Sequence, residues 1–161
     1  MTIANTIPVQ VPTVPITFGA KEATGEESLS TLAVNMWAGD SNIDTSIFAE
    51  GYLNYQAPLA AGGAGEIDLD TWIKIVEGVH LAFPDLQIEI LGQVAQGNRV
   101  WTHWRAFGTH AGEYLGQAAT GNAIDYSGVQ IDNIVDGRII ASWVYWDNYT
   151  LRRQIGLEST N

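Results

Sequence analysis

The sequence predicts an α+β fold in which helices come first and a run of antiparallel strands follows. Apolar residues recur every three to four positions up to Pro84 and every second position after it. Turn sequences, such as Gln96-Gly97-Asn98 and Asp136-Gly137, separate the alternating segments. Helices that precede a strand meander are expected to cover one face of a curved sheet.

The first 24 residues predict an extended arm. Three of the five prolines of the chain lie here, at Pro8, Pro12 and Pro15. Proline fixes an extended φ and removes a ladder donor, which disfavours both a helix and a central strand. Since the chain has 161 residues, we expect residues 25–161 to form a single domain.

Helical spacing predicts three helices before the sheet. Thr24-Gly25-Glu26-Glu27 has the form of a capping box, and apolar residues follow it at helical intervals as far as Trp37. A short helix is expected over residues 43–50. Asp68 is a good N-cap for a third helix, whose apolar face continues to Phe83.

Alternation predicts strands near residues 86–94, 99–107, 112–116, 124–134 and 138–147. Asp136-Gly137 fits a type I′ hairpin between the last two strands. A closing helical turn is expected over residues 148–155.

Composition excludes several classes of function. Seven basic and 18 acidic residues give a net charge of −11, which repels a phosphate backbone and argues against nucleic-acid binding. The chain has no cysteine and three histidines, so we expect neither a metal site nor a cofactor. Without an apolar run that could cross a bilayer, or a recognisable signal peptide, a cytoplasmic protein with no membrane partner is expected.

An ordered set of short segments resembles the SnoaL-like polyketide cyclase family of the nuclear transport factor 2-like superfamily. The resemblance covers residues 28–157 and rests on Phe48-Ala-Glu-Gly-Tyr-Leu-Asn54, Ala82-Phe-Pro-Asp-Leu86, Gly108-Thr-His-Ala-Gly112, Ile134-Val-Asp-Gly-Arg-Ile139, Trp146-Asp147 and Arg153-Gln-Ile-Gly156. It implies a cone-shaped curved antiparallel sheet that wraps around three N-terminal helices and encloses a deep apolar pocket. It also implies a homodimer formed through the outer face of the sheet, where Trp101, His103, Trp143 and Tyr145 are expected.

The catalytic carboxylate of the relatives is missing. Cyclases of the family and the related limonene epoxide hydrolases carry an Asp seven residues after the glycine of the Asp-Gly turn, and Val144 stands there. The hydrolases also carry an Arg and an Asp at the positions of Trp104 and Ala106. The resemblance therefore implies that this chain does not hydrolyse epoxides of the limonene type.

Side-chain alternation along the strands selects the candidate substrate-binding residues. Asn54 and Gln56 match polar pocket positions of the hydrolases, and His80 lies on the apolar face of the third helix, where a hydrogen-bonded core residue is the alternative. The full candidate set is Asn54, Gln56, His80, Thr102, Trp104, Tyr126, Gln130, Ser142, Val144 and Trp146.

Two carboxylates are candidates for acid or base chemistry. Asp132 has the parity of the inward-facing residues. Asp147 ends the last strand, where it is either the N-cap of the closing helical turn or an acid or base whose pKa is raised by its aromatic neighbours.

The sequence thus predicts a cofactor-independent enzyme that cyclises, isomerises or dehydrates an apolar polyketide-like or terpenoid-like molecule. Catalysis would rest mainly on holding a reactive conformation. The alternative is a non-catalytic module of the same fold that binds a small molecule or dimerises.

Overall fold

The computed structural model describes residues 25–56 and 65–157. The predicted arm and Thr24 of the capping box lie outside these residues. The elements in chain order are α1 (Gly25–Asn35), a 3₁₀ turn (Thr45–Ile47), β1 (Phe48–Gln56), β2 (Glu66–Asp68), α2 (Leu69–Ala82), β3 (Gln87–Gln96), β4 (Arg99–Thr109), β5 (Ala123–Val135), β6 (Arg138–Trp146) and α3 (Asn148–Gln154).

Six strands form one sheet in the order β2-β1-β6-β5-β4-β3, and the predicted α+β class is confirmed. The sheet is mixed rather than purely antiparallel, because β1 and β6 pair in parallel. A parallel pair needs a long crossover, and here α2 and the strands β3 to β5 lie between β1 and β6 in the chain. Two of the three helices precede the meander, and α3 follows it.

The helix predicted over residues 43–50 is wrong. Asp44 accepts a hydrogen bond from the Ser46 backbone N–H (3.0 Å) and caps only a three-residue 3₁₀ turn. Strand β1 follows at once, and its register against β6 shifts between Phe48 and Leu53. Gly51 has φ +74° within this bulge. As a result, the two consecutive residues Glu50 and Gly51 are both exposed, which interrupts the alternation of buried and exposed residues that identifies a strand.

The strand predicted over residues 112–116 is also wrong, because the chain there forms a loop held on the end of α2. The backbone N–H groups of Ala111 and Gly112 both donate to the carbonyl of Ala82 (2.9 Å each). A Cβ on Gly112 would lie 2.2 Å from the Leu81 carbonyl oxygen, so glycine permits this close approach. Tyr114 forms only an isolated bridge.

The other predicted elements are confirmed within a few residues. The Asp68 carboxylate accepts from the Thr71 N–H (2.8 Å) and starts α2. Asp136 and Gly137 have φ +50° and +72°, which is the type I′ geometry that joins β5 to β6.

The interior has two apolar clusters. One lies between α2, α3 and the ends of β4 to β6, and it includes Phe83, Leu86, Trp104, Val144 and Leu151. The other lies between α1, α2 and β1, and it includes Met36, Phe48, Trp72, Val100 and Ile139. Between them lies a layer of buried polar side chains: Ser30, Asn54, Thr102, Gln130, Asp132 and Ser142. The candidate pocket opens in the first cluster.

Candidate functional site

The pocket is an apolar recess, and the empty space in and in front of it, open solvent included, is about 510 Å³. None of the described residues that line it is charged. These residues come from α1 and the turn after it, from α2 and the loop after it, from the inner face of the sheet and from the loop after β4: Val34, Trp37, Gln56, Ile75, Val79, Leu86, Ile88, Trp104, Tyr114, Tyr126, Val144 and Trp146. Five of the predicted binding residues are among them, namely Gln56, Trp104, Tyr126, Val144 and Trp146.

Two tryptophans flank a glycine in one row across the sheet. Trp104 on β4, Gly128 on β5 and Trp146 on β6 are register partners. A Cβ on Gly128 would lie 2.4 Å from Cζ2 of Trp104, so the absence of a side chain lets this indole approach the backbone of β5. Tyr126 meets Trp104 edge to face at 5.9 Å. The row therefore forms a broad aromatic wall.

The next row marks the inner boundary of the pocket. Gln130, Val144 and Gln56 are register partners on β5, β6 and β1. Val144 is 3% exposed, and its side chain offers the pocket neither a proton donor nor an acceptor. Gln56 is 5% exposed, and its Nε2 has no hydrogen-bond partner in the described part of the chain.

One row deeper lies Asp132, which faces inward but does not line the pocket. It is fully buried and accepts hydrogen bonds from Ser30 (2.5 Å), from Ser142 (2.5 Å) and from Gln130 Nε2 (2.9 and 3.1 Å). Burial raises the pKa of Asp132 to about 6, against the opposing effect of these three donors.

The remaining predicted polar residues belong to the same buried layer. Thr102 contacts the hydroxyl of Ser30 (2.8 Å) and accepts from Gln93 Nε2 (3.0 Å). Asn54 donates to the Tyr52 hydroxyl (2.8 Å). Thr102 and Asp132 thus link the sheet to α1 through Ser30, whereas Asn54, Gln130 and Ser142 bond to partners within the sheet.

Asp147 lies outside the pocket lining, at the start of α3. Its exposed carboxylate accepts from the Thr150 N–H (2.9 Å), and this bond lowers the pKa of Asp147. The geometry is that of an N-cap. His80 is also outside the lining, and its Nε2 donates to the Met36 carbonyl (2.8 Å), which ties α2 to the end of α1.

Two tyrosines supply the other polar groups of the pocket. Burial raises the pKa of Tyr114 to about 12. Burial, together with the neighbouring Tyr114, also raises the pKa of Tyr126. Both phenols therefore stay protonated and neutral. In residues 25–56 and 65–157 no group of three or more His, Asp or Glu side chains could hold a metal ion.

The family model of the SnoaL-like polyketide cyclases matches residues 33–155. The chain belongs to this family. No curated protein matches this SnoaL-like chain, and no helix in its described parts is long and apolar enough to span a membrane.

Solved structures share the fold of this SnoaL-like protein. The hydroxylase candidate AclR from Streptomyces galilaeus is 25% identical, with a TM-score of 0.67 and coverage of 82% of this chain and 87% of the other. The polyketide cyclase candidate IdmH from Streptomyces antibioticus is 24% identical (TM-score 0.69, coverage 81% and 98%). A SnoaL-like cyclase candidate from Jannaschia sp. CCS1 is 17% identical (TM-score 0.71, coverage 88% and 99%).

Alternation alone could not find the part of the pocket that lies off the sheet. Tyr114 sits in a loop without periodicity. Trp37 follows α1, and Ile75 and Val79 lie on α2. The helical pattern marked Trp37 and Val79 only as members of an apolar face.

Proposed function

We propose that this SnoaL-like protein is a cofactor-independent enzyme that cyclises, isomerises or dehydrates an apolar polyketide-like molecule. The observation that carries the proposal is an aromatic pocket whose described lining holds no charged side chain. Such a lining favours a neutral, apolar substrate and disfavours an ionic one.

Catalysis in this pocket would come from orientation. A flexible poly-ketone carries its own nucleophilic enol and its own electrophilic carbonyl. Packing against Trp104 and Trp146 would hold these two carbons together, and orientation of this kind can lower a barrier by up to about 7–11 kcal/mol. As the new C–C bond forms, the enol becomes a ketone and its O–H proton passes, directly or through water, to the oxygen of the attacked carbonyl. We assign no proton transfer to Asp147, which caps α3, or to Asp132, which lies below the pocket floor.

Product analysis tests this proposal. We would incubate the protein with a panel of linear and bicyclic aromatic poly-ketones and follow each by liquid chromatography and mass spectrometry. Cyclisation conserves mass and dehydration removes one water. We expect a product whose formation is abolished by Val144→Trp, a change that fills the pocket, and is kept by Tyr149→Phe, which alters an exposed side chain on α3.

A second candidate function is binding without chemistry. It is favoured by the same absence of an acid or base in the described lining. If compounds of the panel bind tightly but are converted no faster than in buffer alone, the result would support a binding function and contradict the proposal of an enzyme.

We also propose that two copies of the chain pair through the outer face of the sheet. Trp101, Ile131 and Trp143 are register partners there. The Trp143 ring stacks on Tyr55 at 5.2 Å and lies beneath the Arg99 guanidinium at 5.4 Å. A contiguous aromatic surface of this kind is typical of an interface.

A further inference from the structure

A buried chain of hydrogen bonds joins α1 to the sheet beneath the pocket. Gln93 Nε2 on β3 donates to the Thr102 hydroxyl (3.0 Å). Thr102 lies 2.8 Å from the Ser30 hydroxyl, and Ser30 donates to the Asp132 carboxylate (2.5 Å). Since an amide donor stands at one end and an acceptor at the other, the two hydroxyls between them point the same way along the chain.

The same face of α1 reaches the pocket. Ser30 and Val34 are four residues apart on this helix, so their side chains lie on one face of it. Val34 lines the pocket, and so does Trp37, whose backbone N–H donates to the Val34 carbonyl (3.2 Å) just after α1. The seating of α1 on the sheet therefore sets the position of Val34 and Trp37 in the pocket wall.

The link through Ser30 differs between the two protonation states of Asp132. The ionised carboxylate accepts from Ser30, and charge-assisted bonds of this kind are about twice as strong as neutral ones. The protonated carboxyl carries a donor of its own, so a neighbouring hydroxyl must turn to accept from it. Whichever hydroxyl turns, Ser30 then bonds to a neutral group, and the link between α1 and the sheet is weaker.

The surroundings of Asp132 bring this change into the range of ordinary buffers. Burial raises the pKa of Asp132 to about 6. Its register partners on β4 and β6, Val100 and Ser142, carry no charge. Titratable groups on the other elements that face it are Glu27 on α1 and Tyr52 on β1, and burial raises the pKa of Tyr52, so that this phenol stays neutral.

We propose that Asp132 is a proton-linked positioning residue, whose ionisation tightens the link to Ser30 and seats α1 so that Val34 and Trp37 contact a ligand. The affinity of the pocket should therefore rise with pH, although none of its described lining residues is charged. This inference rests on the proposed function, since it names how the same pocket is regulated. Burying the charge lowers the stability of the whole fold, but it strengthens this one link.

A matched pair of serine variants tests the positioning role. Ser30→Ala and Ser142→Ala each remove one hydroxyl that donates to Asp132, but only Ser30 belongs to α1. Without ligand, NMR from about pH 4 to about pH 8 would follow the Asp132 Cγ signal, which reports ionisation, and the Val34 methyl signals, which report the pocket wall. Asp132→Asn shows whether His80, which bonds to the chain just after α1, contributes to the Val34 response.

In the wild type we expect the Val34 signals to shift with the same midpoint as the Asp132 signal. Ser142→Ala should keep this coupling. In Ser30→Ala the Asp132 signal should still titrate, whereas the Val34 signals should stay in place, as they should in Asp132→Asn.

Ligand affinity gives the second measurement. Equilibrium dialysis with 9-fluorenone, which has no ionisable group, should show binding to the wild type about threefold to fivefold tighter at pH 7.5 than at pH 5, the value of strengthening one hydrogen bond. The difference between the two pH values should vanish in Ser30→Ala and in Asp132→Asn and persist in Ser142→Ala.

Three outcomes would overturn the positioning role. The Val34 signals could respond to pH equally in Ser30→Ala and in the wild type, the Asp132 signal could fail to titrate in this range, or the wild type could bind 9-fluorenone equally well at both pH values. Failure of the wild type to bind 9-fluorenone at any pH would instead contradict the proposed function, and the NMR titration without ligand would then decide the role of Asp132 by itself.

Discussion

Replacing Asp132 with Asn should change how stability depends on pH. The carboxyl is fully buried beneath the pocket, and burial raises its pKa to about 6, whereas an unfolded Asp has a pKa of about 3.9. The folded state therefore holds the proton more tightly than the unfolded state. The contribution of this group to stability is fully present below about pH 4 and is lost as the pH rises to about 6.

The size of the effect follows from the two pKa values. Ionising a group whose pKa is raised from about 3.9 to about 6 costs the folded state about 3 kcal/mol. The Asn variant does not pay this cost. Ser30 and Ser142 can turn their hydroxyls to donate or accept, so the variant should keep most of the network. Its stability relative to the wild type should improve by about 3 kcal/mol between pH 4 and pH 7.5.

Urea unfolding followed by tryptophan fluorescence at several pH values measures this difference. Asp147→Asn is the control with the opposite sign, because hydrogen bonds at the α3 cap lower the pKa of Asp147. The wild type should gain stability over that variant as the pH rises through the acid range. A stability difference between the wild type and Asp132→Asn that is constant with pH, or that grows in favour of the wild type, would refute the reasoning.

Three further predictions concern the pocket and the outer face. Gly128→Ala should cost about 1–3 kcal/mol in urea unfolding, since its Cβ would overlap Trp104; an unchanged free energy of unfolding would contradict this. Val144→Asp should be less stable than the wild type because it buries an unpaired carboxylate, and the loss of stability should be larger at pH 8 than at pH 5. Neither the variant nor the wild type should hydrolyse limonene oxide. Light scattering should give twice the 17.5 kDa chain mass for the wild type and the single mass for Trp143→Arg, whereas a monomeric wild type would rule out the dimer.

Local sequence patterns predict an element when its own residues supply the signal. Asp68 and the helical apolar repeat after it sufficed for α2, and strict alternation sufficed for β3 to β6. Strand β1 was missed because its bulge at Gly51 breaks the alternation. Its parallel pairing with β6 depends on contacts about 90 residues apart, which no local pattern contains.

The site shows the same limit. Alternation predicts the face of the sheet on which a side chain lies, but it does not predict whether that side chain lines the pocket or lies in the buried layer beyond it. Trp104 and Val144 reach the pocket, whereas Thr102 and Asp132 have the same parity and lie in the polar layer beneath α1. Tyr114 could not be predicted because its place depends on how an irregular loop packs on Phe83.

The indole N–H signals of the six tryptophans test most directly whether the pocket is the ligand site. Trp37, Trp104 and Trp146 line the pocket, whereas the other three lie in the second apolar cluster or on the outer face of the sheet, namely Trp72, Trp101 and Trp143. In a ¹H–¹⁵N NMR titration with 9-fluorenone, a flat aromatic ketone, the first three signals should shift and saturate with one dissociation constant while those of Trp101 and Trp143 stay in place. Shifts confined to Trp101 and Trp143, or no saturable shift at all, would contradict the account.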